Sequence, residues 1–195
     1  TSLYGEDIKH IYNKSKESLP KAYSQNIKNS FLLGNKEEVI IKENHILFNI
    51  NVFTGQKTGF FLDQRENIAL LTRLARSKTV LNTFCYTGGF SLYALLGGAK
   101  KVVSVDSSKK ALEELQKNIE LNDLSNANHE ALEADVIPFF KDLTSDDFDI
   151  IILDPPAFAK SLEKRHNAIQ AYKRINVLAM QKIKSGGFLL TFSCS

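Results

Sequence analysis

With 195 residues, a net charge of +3 and 43% hydrophobic residues, the chain has the composition of a globular protein that is large enough for one well-formed core. No apolar run approaches the roughly 20 residues that a membrane-spanning helix needs, the first residues do not resemble a signal peptide, and the two cysteines, Cys85 and Cys194, suggest no disulfide framework. These features predict a cytoplasmic protein with no membrane partner, and the mild positive charge permits a nucleic-acid partner without requiring one.

The first 55 residues predict a small α+β module. A lysine-rich segment from about Ile8 to Lys21 predicts a helix that ends near Pro20. The segment 38–52 is rich in β-branched and aromatic residues and predicts two strands that are joined at Glu43 and Asn44. A structural module and an RNA-contacting module both fit this composition.

A turn at residues 54–67 connects this module to the rest of the chain. Asp63 is a suitable N-cap for a helix that runs to about Lys78, with Glu66 at the capping-box position. Arg65, at the start of this helix, could bind a ligand carboxylate, or it could be an ordinary surface arginine beside a cap. The apolar face of the helix is expected to contain Ile68, Leu71 and Ala75.

Residues 79–106 predict a βαβ unit. An apolar strand from Thr79 leads to a turn with Gly88 and Gly89, a helix, a Gly-Gly break and a second strand that ends in Asp106. The paired glycines let the backbone approach a ligand, and an acid at this distance is where such units bind a ribose hydroxyl. The glycines could instead serve only to close the turn.

The residues around this turn indicate which ligand it binds. The turn lacks the G-x-G-x-x-G of a dinucleotide site and the Gly-Lys-Ser/Thr of a phosphate-binding loop, and the bulky Phe84 and Tyr86 precede its glycines. S-adenosylmethionine carries a ribose and an adenine but no phosphate, so it suits this turn better than a dinucleotide. We therefore predict S-adenosylmethionine as the cofactor, with S-adenosylhomocysteine as its product, and consider a dehydrogenase disfavoured.

A helix and a third strand follow Asp106. Ser107 or Ser108 is expected to cap the helix, which ends near Asn122. A strand at about residues 129–134 then delivers Asp135 to the same edge of the sheet as Asp106. Asp135 could contact the adenine amino group, cap the next helix, or do both. The apolar face of the first of these helices is expected to contain Ala111, Leu112, Leu115 and Ile119.

The last part of the chain predicts two more strands. Strand four, 148–153, is almost entirely apolar, as a buried parallel strand should be, and ends in Asp154-Pro155-Pro156. The two prolines force an extended backbone and remove two N–H donors, so this turn presents acceptors that suit a planar base with an amino group. A helix from about Ala168 to Lys182 is expected to end at 186–187, before strand five at 188–192.

Motifs from about Gly55 to the last residue resemble those of the cytosine-5 methyltransferases of bacterial large-subunit (23S) ribosomal RNA, a class I S-adenosylmethionine-dependent family. The matching segments are 56–65 (QKTGFFLDQR), 82–90 (NTFCYTGGF), 105–108 (VDSS), 154–160 (DPPAFAK), 171–176 (AYKRIN) and 190–195 (LTFSCS). The set as a whole is far more specific than any one of its members.

The resemblance implies an α/β fold, with a Rossmann-like class I methyltransferase sheet that has helices on both faces and is preceded by a small α+β module. The expected domains are a partial central module at 1–55 and the methyltransferase domain at 56–195. Since the family has an N-terminal PUA domain and two further strands, we expect this chain to be a fragment that lacks both. Ile68 stands where the family pattern suggests an arginine.

The site residues follow from this resemblance and from the strand-end positions. Cys194 and Asp154 are expected to be catalytic, and Pro155, Pro156, Phe158 and Lys160 to bind the substrate. The expected cofactor-binding residues are Phe61, Asp63, Gln64, Arg65, Asn82, Phe84, Tyr86, Thr87, Gly88, Gly89, Phe90, Asp106, Ser107, Asn122, Asp135 and Asp154. The four histidines are scattered, so no metal site is expected.

The expected chemistry is covalent catalysis by a cysteine. C5 of cytosine is a poor nucleophile, but a thiolate that adds to C6 converts the ring to an enamine that can attack a methyl group. Cys194 is predicted to supply the thiolate, with Asp154 holding the base and Phe158 beside the ring. Cys194 could instead be a small buried hydrophobe, and Cys85 is the second candidate for the thiol.

Large-subunit ribosomal RNA is the expected substrate. A group of basic residues after Asp154 could follow an RNA backbone or form a solvated helix face; it comprises Lys160, Lys164, Arg165, Lys173 and Arg174. Two alternatives stay open, namely methylation of a base nitrogen, which needs no thiol, and a non-catalytic RNA-binding module that retains the cofactor pocket. The oligomeric state, a homodimer included, also stays open.

Overall fold

The computed structural model describes residues 8–53, 55, 59–144, 147–159, 163 and 165–193. The chain divides into two compact units, the first comprising residues 1–43 and 47–63 and the second residues 44–46 and 64–195. The predicted domain boundary between residues 55 and 56 lies within the first unit and stays a prediction. Among the described residues, no helix is long and apolar enough to cross a membrane.

Two small sheets form the amino-terminal part of the chain. Strand β1 (Ile11–Asn13) pairs antiparallel with β2 (Ser30–Leu33), and β3 (Glu38–Glu43) pairs with β4 (Ile46–Asn51). The two residues between β3 and β4, Asn44 and His45, have positive φ angles of 46° and 76°. A two-residue hairpin turn requires this conformation, so the predicted pair of strands is confirmed.

The predicted helix from Ile8 to Lys21 is wrong. This segment contains β1, a 3₁₀ turn at Lys16–Ser18 and the start of the short helix α1 (Lys21–Ser24), whose N-cap position is Pro20. The ring of Tyr12 on β1 lies 5.0 Å from that of Phe31 on β2 and 4.6 Å from that of Phe53. Pairing with β2 and these ring contacts, which local composition does not reveal, favour a strand over a helix.

The second unit contains a sheet of five parallel strands. They are β5 (Thr79–Thr83), β6 (Lys101–Asp106), β7 (His129–Glu133), β8 (Phe148–Leu153) and β9 (Ile183–Thr191), in the order β7-β6-β5-β8-β9. From β5 the chain adds β6 and then β7 on one side of the sheet, and it then returns to place β8 and β9 on the other side of β5. The order of the strands therefore reverses between β5 and β8, although all five run parallel. Open α/β sheets bind ligands at the carboxyl ends of the strands that flank such a reversal.

Helices cover both faces of this sheet, as predicted. Alternate strand residues point to opposite faces: Leu81 and Ile151 belong to a buried cluster with residues of α5 and α6, whereas Asn82 contacts Ser91 of α3. The Rossmann-like fold class is therefore confirmed. The helices are α2 (Arg65–Leu74), α3 (Gly89–Leu96), α4 (Lys109–Leu121), α5 (Val136–Asp142) and α6 (Arg165–Lys182).

The start and end predicted for α2 are wrong. Gln64, not Asp63, holds the N-cap position and makes no side-chain cap, because Asp63 belongs to a preceding 3₁₀ turn at Leu62–Gln64. The helix ends at Leu74 and not near Lys78. The predicted apolar face is confirmed, since these residues are buried: Ile68, Leu71 and Ala75.

The predicted end of α6 at Lys182 is confirmed, but the role predicted for the two glycines after it is wrong. The helix begins at Arg165 rather than Ala168, and both Gly186 and Gly187 lie within β9 and do not end the helix. The register between β8 and β9 shifts here, and a Cβ on Gly187 would lie 2.7 Å from the carbonyl oxygen of Asp149. The glycine therefore permits a close approach of two strands at an irregular point, as glycines in bulged strands do.

Asp149 joins the amino-terminal ends of β5 and β8. Its Oδ2 accepts hydrogen bonds from the backbone N–H and the hydroxyl of Thr79, at 2.7 and 2.8 Å, and its Oδ1 lies 3.5 Å from Lys184 Nζ. The backbone N–H of Thr79 above all, with smaller help from the Thr79 hydroxyl and Lys184 and against some burial, holds the pKa of Asp149 below its ordinary 3.8. The native state therefore binds this proton less tightly than the unfolded state does.

Asp149→Asn should make the protein less stable at neutral pH and less sensitive to acid. Because the pKa is lower in the folded state, Asp149 stabilises the fold above the unfolded-state pKa, and this stabilisation disappears as pH falls through the folded-state pKa. We expect a loss of about 1–3 kcal/mol at pH 7 and a smaller one near pH 2. Urea unfolding at several pH values measures it, with the exposed Asp142→Asn as the charge control. An equal loss at both pH values would rule out this role.

Candidate active site

The loop between β5 and α3 forms a strained turn. Phe84, Tyr86 and Gly88 have φ angles of 55°, 48° and 88°, and the first two carry side chains that disfavour this region. The Cys85 N–H donates to the carbonyl of Val105 at 3.1 Å, and the Gly88 N–H donates to the carbonyl of Cys85 at 2.9 Å. Backbone strain that is held in place by its surroundings is typical of ligand-binding loops.

Asp106 binds this turn from the end of β6. Its Oδ2 accepts the N–H of Tyr86 and its Oδ1 accepts the N–H of Ser108, each at 2.9 Å. Each carboxylate oxygen has a second lone-pair direction, so the half-buried carboxylate can still accept hydrogen bonds from two vicinal hydroxyls. Ser107 is exposed beside it, and Ser108 caps α4 by accepting the N–H of Ala111 at 3.3 Å.

Replacing Asp106 should weaken cofactor binding more than folding. Asp106→Ala removes the acceptor for the Tyr86 N–H and the candidate acceptor for ribose hydroxyls, so we expect about 10- to 100-fold weaker binding of S-adenosylhomocysteine. Asp106→Asn, which keeps one oxygen, should lie between. Calorimetry measures the affinities, with Glu133→Ala, the exposed acid that pairs in register with Asp106 on β7, as the control. Equal effects of the Asp106 and Glu133 variants would remove Asp106 from the site.

Helix α4 supports the same turn through asparagine side chains. The buried Asn118 donates through Nδ2 to the carbonyl of Thr87 at 3.0 Å, and Asn122 donates to the carbonyl of Asn118 at 2.7 Å. Sequence reasoning named Asn122 but missed Asn118. Its position three residues after the apolar Leu115, on the buried face of α4, was the available signal, because a buried amide needs a partner.

Asn82, in β5, and Cys85, in the turn itself, both have buried side chains. Asn82 is 1% exposed and donates through Nδ2 to the hydroxyl of Ser91 at 2.9 Å, so it supports the turn from inside the sheet. Cys85 is also buried, and burial first, then the charge of Asp106, raises the pKa of its thiol. A thiol held in its neutral form is a poor nucleophile, so the structure disfavours this second candidate.

The turn after β8 follows the strand that pairs with β5 on the side opposite β6. Asp154 is half-buried, Pro155 is buried and Pro156 is exposed. The ring of Phe158 lies 4.7 Å from that of Tyr172 in an edge-on arrangement, and both rings pack against the core cluster. Phe158 therefore has a fixed position near the acceptors of this turn.

An aromatic contact joins the turn after β5 to the end of β9. The rings of Phe90, in the first turn of α3, and Phe192 stack with centroids 5.3 Å apart and planes inclined by 29°. The Phe192 N–H also donates to the carbonyl of Leu153 at 2.9 Å. The glycine turn, the end of β8 and the end of β9 are thus brought together at one edge of the sheet.

The other predicted site residues lie in several parts of the chain. Phe61 and Asp63 belong to the first unit, and Lys160 and Cys194 lie outside the described residues. In the second unit, Gln64 accepts from Asn67 at 3.0 Å, and the exposed Arg65 lies 3.9 Å from Glu66. The remaining predicted residues are as follows: Phe84 packs partly buried against the core cluster, Thr87 and Gly89 lie in the turn, and Asp135 is exposed at the N-cap position of α5 without a cap bond.

The donors and acceptors of the turn suit a nucleoside without a phosphate. Asp106 offers carboxylate oxygens to a ribose, and the turn presents bulky residues before Gly88 rather than the bare glycine backbone that a pyrophosphate needs. Across the part of the chain that the structure describes, no group of His, Cys, Asp and Glu side chains could hold a metal ion.

Comparison with known proteins identifies the class. The family of S-adenosylmethionine-dependent methyltransferases matches residues 16–194. This match covers nearly the whole chain, and the sheet order and the turn described above agree with it. The protein therefore belongs to the S-adenosylmethionine-dependent methyltransferase family, whose cofactor is S-adenosylmethionine.

Individual relatives and solved structures refine this comparison. The chain is 41% identical over 190 residues to "Ribosomal RNA large subunit methyltransferase I" of Aliivibrio fischeri, covering 95% of this chain and 48% of that protein. It thus spans about half the length of the curated relatives it matches. A solved structure of a protein assigned as a methyltransferase, complexed with SAH, is 34% identical with a TM-score of 0.68, covering 84% of this chain and 44% of the other.

A third comparison concerns the fold alone. The SAM-dependent methyltransferase from Agrobacterium tumefaciens superposes with a TM-score of 0.78 over 100% of this chain and 63% of that one, at 20% identity. At this low identity the likeness supports the Rossmann-like architecture and carries no information on the substrate.

Proposed function

We propose that the protein methylates RNA with S-adenosylmethionine, at C5 of a cytosine in large-subunit ribosomal RNA, through a covalent adduct between Cys194 and C6. The relatives named for ribosomal RNA support the substrate class. The cysteine chemistry is supported by the motif at 190–195 and by the position at which the described part of β9 ends.

The contact between Phe90 and Phe192 is the observation that carries this proposal. It fixes the end of β9 against α3, the helix that follows the turn at residues 84–89, which we call the cofactor turn. The two ring centroids lie 5.3 Å apart. Cys194 comes two residues after Phe192, and two residues span at most about 7 Å. The proposal requires the Cys194 thiol to reach the region around Phe192, which contacts both Phe90 and the end of β8, and this short connection allows it.

The residues of this chain would divide the reaction as follows. S-adenosylmethionine supplies an electrophilic methyl group. The thiolate of Cys194 would add to C6 of the cytosine, and C5 would then attack the methyl carbon, whose bond to sulfur breaks as S-adenosylhomocysteine leaves. Asp154, at the end of β8, would carry a proton that it shares with N3, and this proton would hold the base and offset the negative charge that develops on addition. Loss of the C5 proton expels the thiolate and restores the aromatic ring.

The surface beside Asp154 would bind the RNA backbone. Arg165, Lys173 and Arg174 are exposed on α6, which follows the Asp154 turn, and cations there can neutralise phosphates. The target base must leave any stack to reach Asp154, as substrates of base-modifying enzymes do. The proline pair that follows Asp154 keeps its backbone extended toward such a base.

Two other functions make different demands. Methylation of a base nitrogen would use the acceptors of the Asp154-Pro155-Pro156 turn and would not need Cys194. A non-catalytic RNA-binding module would need no methyl donor, so calorimetry that found no binding of S-adenosylmethionine would favour it.

The proposal is tested by the product formed on ribosomal RNA. The full-length protein should convert a cytidine of large-subunit RNA to 5-methylcytidine, identified by nucleoside mass spectrometry of RNA from cells with and without the gene. An N-methylated nucleoside that disappears with the gene would support the nitrogen-directed reaction, and an unchanged RNA would support the non-catalytic function.

A further inference from the structure

A chain of hydrogen-bonded polar side chains runs from His129 on β7, the outer strand of the described sheet, to Asn82 in the strand that precedes the turn at 84–89. Ser104 of β6 lies 2.8 Å from Nε2 of His129 on β7, and its hydroxyl lies 2.7 Å from that of Ser91 on α3. Ser91 in turn accepts from Asn82 Nδ2 at 2.9 Å. Asn82, Ser91 and Ser104 are at most 1% exposed, so water does not compete for these hydrogen bonds.

The donors in this chain can all point in one direction. If Asn82 donates to Ser91, the Ser91 hydroxyl is free to donate to Ser104, and the Ser104 hydroxyl to His129. This order requires an unprotonated Nε2 on His129. Burial lowers the pKa of His129 to about 4, against the opposing charge of Glu130, so the ring is neutral at pH 7 and has one nitrogen that accepts.

Asn82, at the other end of this hydrogen-bonded series, has an acceptor that is not used. Asn82 Oδ1 is buried and has no hydrogen-bond partner within the described residues. A buried carbonyl without a partner is costly, and the reverse orientation of the amide would bury an NH₂ group at the same point. Asn82 lies two residues before Phe84, where the strained turn begins, so the backbone N–H groups of that turn follow within a few residues along the polypeptide.

We propose that His129, Ser104 and Ser91 are positioning residues that orient the Asn82 amide, so that its oxygen accepts a backbone N–H of the 84–89 turn when the cofactor is bound. The inference rests on the proposed function only in taking this turn as the cofactor site. It assigns a role to His129, which lies on the outer strand of the described sheet, two strands from the turn.

The first test needs no ligand and determines in which direction these hydrogen bonds are donated. In the free protein at pH 7, ¹⁵N NMR of the imidazole should show His129 neutral, with its proton on Nδ1 and an unprotonated Nε2. A proton on Nε2 would reverse the chain and overturn the proposal.

The second test measures how substitutions in this hydrogen-bonded series change the affinity for S-adenosylhomocysteine. His129→Leu removes the acceptor, whereas His129→Gln keeps an acceptor on the side chain. We expect about tenfold weaker binding of S-adenosylhomocysteine for His129→Leu and less than about threefold for His129→Gln. Ser104→Ala should match His129→Leu, and the double variant should bind no more weakly than either, because the chain acts as one unit.

A merely structural role predicts a different pattern. His129→Leu would then lower the melting temperature and leave the affinity for S-adenosylhomocysteine unchanged, which would overturn the proposal. Failure of the wild-type protein itself to bind S-adenosylhomocysteine would overturn the assignment of the cofactor turn, and with it this role, whereas the NMR result would still report the direction of the chain.

Discussion

Cys194→Ala should abolish methyl transfer while cofactor binding survives. In the proposed mechanism the thiol forms the covalent bond to C6 that makes C5 reactive, and removing an enzyme's nucleophile costs at least about 1,000-fold in rate. Methyl transfer to a large-subunit RNA fragment measures the rate. Calorimetry with S-adenosylhomocysteine measures the affinity, which should change by less than about threefold because the proposed role of the thiol is to bond to the base and not to hold the cofactor.

Cys85→Ala is the matched control for this variant. Cys85 is buried, and its thiol pKa is raised, so its loss should affect packing and leave the rate within a few-fold. Full activity of Cys194→Ala would remove the cysteine mechanism and favour transfer to a nitrogen. Loss of activity with Cys85→Ala alone would move the nucleophile to the turn.

Gly88→Ala should destabilise the fold and weaken cofactor binding together. Gly88 has a φ of +88°, and a Cβ there would lie 1.9 Å from Cδ1 of the fully buried Leu115. The strained backbone costs about 1–2 kcal/mol and the overpacking about 1–3 kcal/mol, so we expect a total loss of about 2–5 kcal/mol. Urea unfolding measures it, and calorimetry should show weaker binding because Leu115 and Asn118 share the helix that supports the turn.

Two variants separate the causes of this loss. Gly98→Ala has a similar φ of +81°, but its Cβ would meet only Arg76 Cγ at 4.0 Å, so it should lose only the backbone component of about 1 kcal/mol. In a Leu115→Ala background the cost of Gly88→Ala should fall to a similar value. If Gly88→Ala lowered the free energy of unfolding no more than Gly98→Ala does, the contact of the new Cβ with Leu115 would not be destabilising.

The sheet could be predicted from the sequence because its signals are local. The apolar run 148–153 and the glycine turn before α3 each identify one element from adjacent residues. Asp106 was predicted as a ligand-binding acid from its place at the end of a strand, and this stays a prediction. The structure shows a further contact of its carboxylate, which accepts the Tyr86 N–H. That role in holding the turn follows from the parallel pairing of β5 with β6.

Features that depend on contacts distant in sequence were missed. The strand Ile11–Asn13 exists because it pairs with Ser30–Leu33, whereas the lysine-rich segment around it, from about Ile8 to Lys21, favoured a helix. Gly186 and Gly187 resembled a helix end, but Gly187 permits close approach to Asp149 on β8. The contact of Asn118 with Thr87 spans 31 positions, which no local pattern encodes.

The most direct test of the reaction uses RNA in which 5-fluorocytidine replaces cytidine. A cysteine that adds to C6 can still deliver C5 to the methyl group, but fluorine cannot leave C5 as a proton does, so the enzyme should remain covalently bound to the RNA. We expect the full-length protein with S-adenosylmethionine to form this adduct, mapped by mass spectrometry to the peptide that contains Cys194. Methylation of the RNA without an adduct, or an adduct at a different residue, would contradict the mechanism.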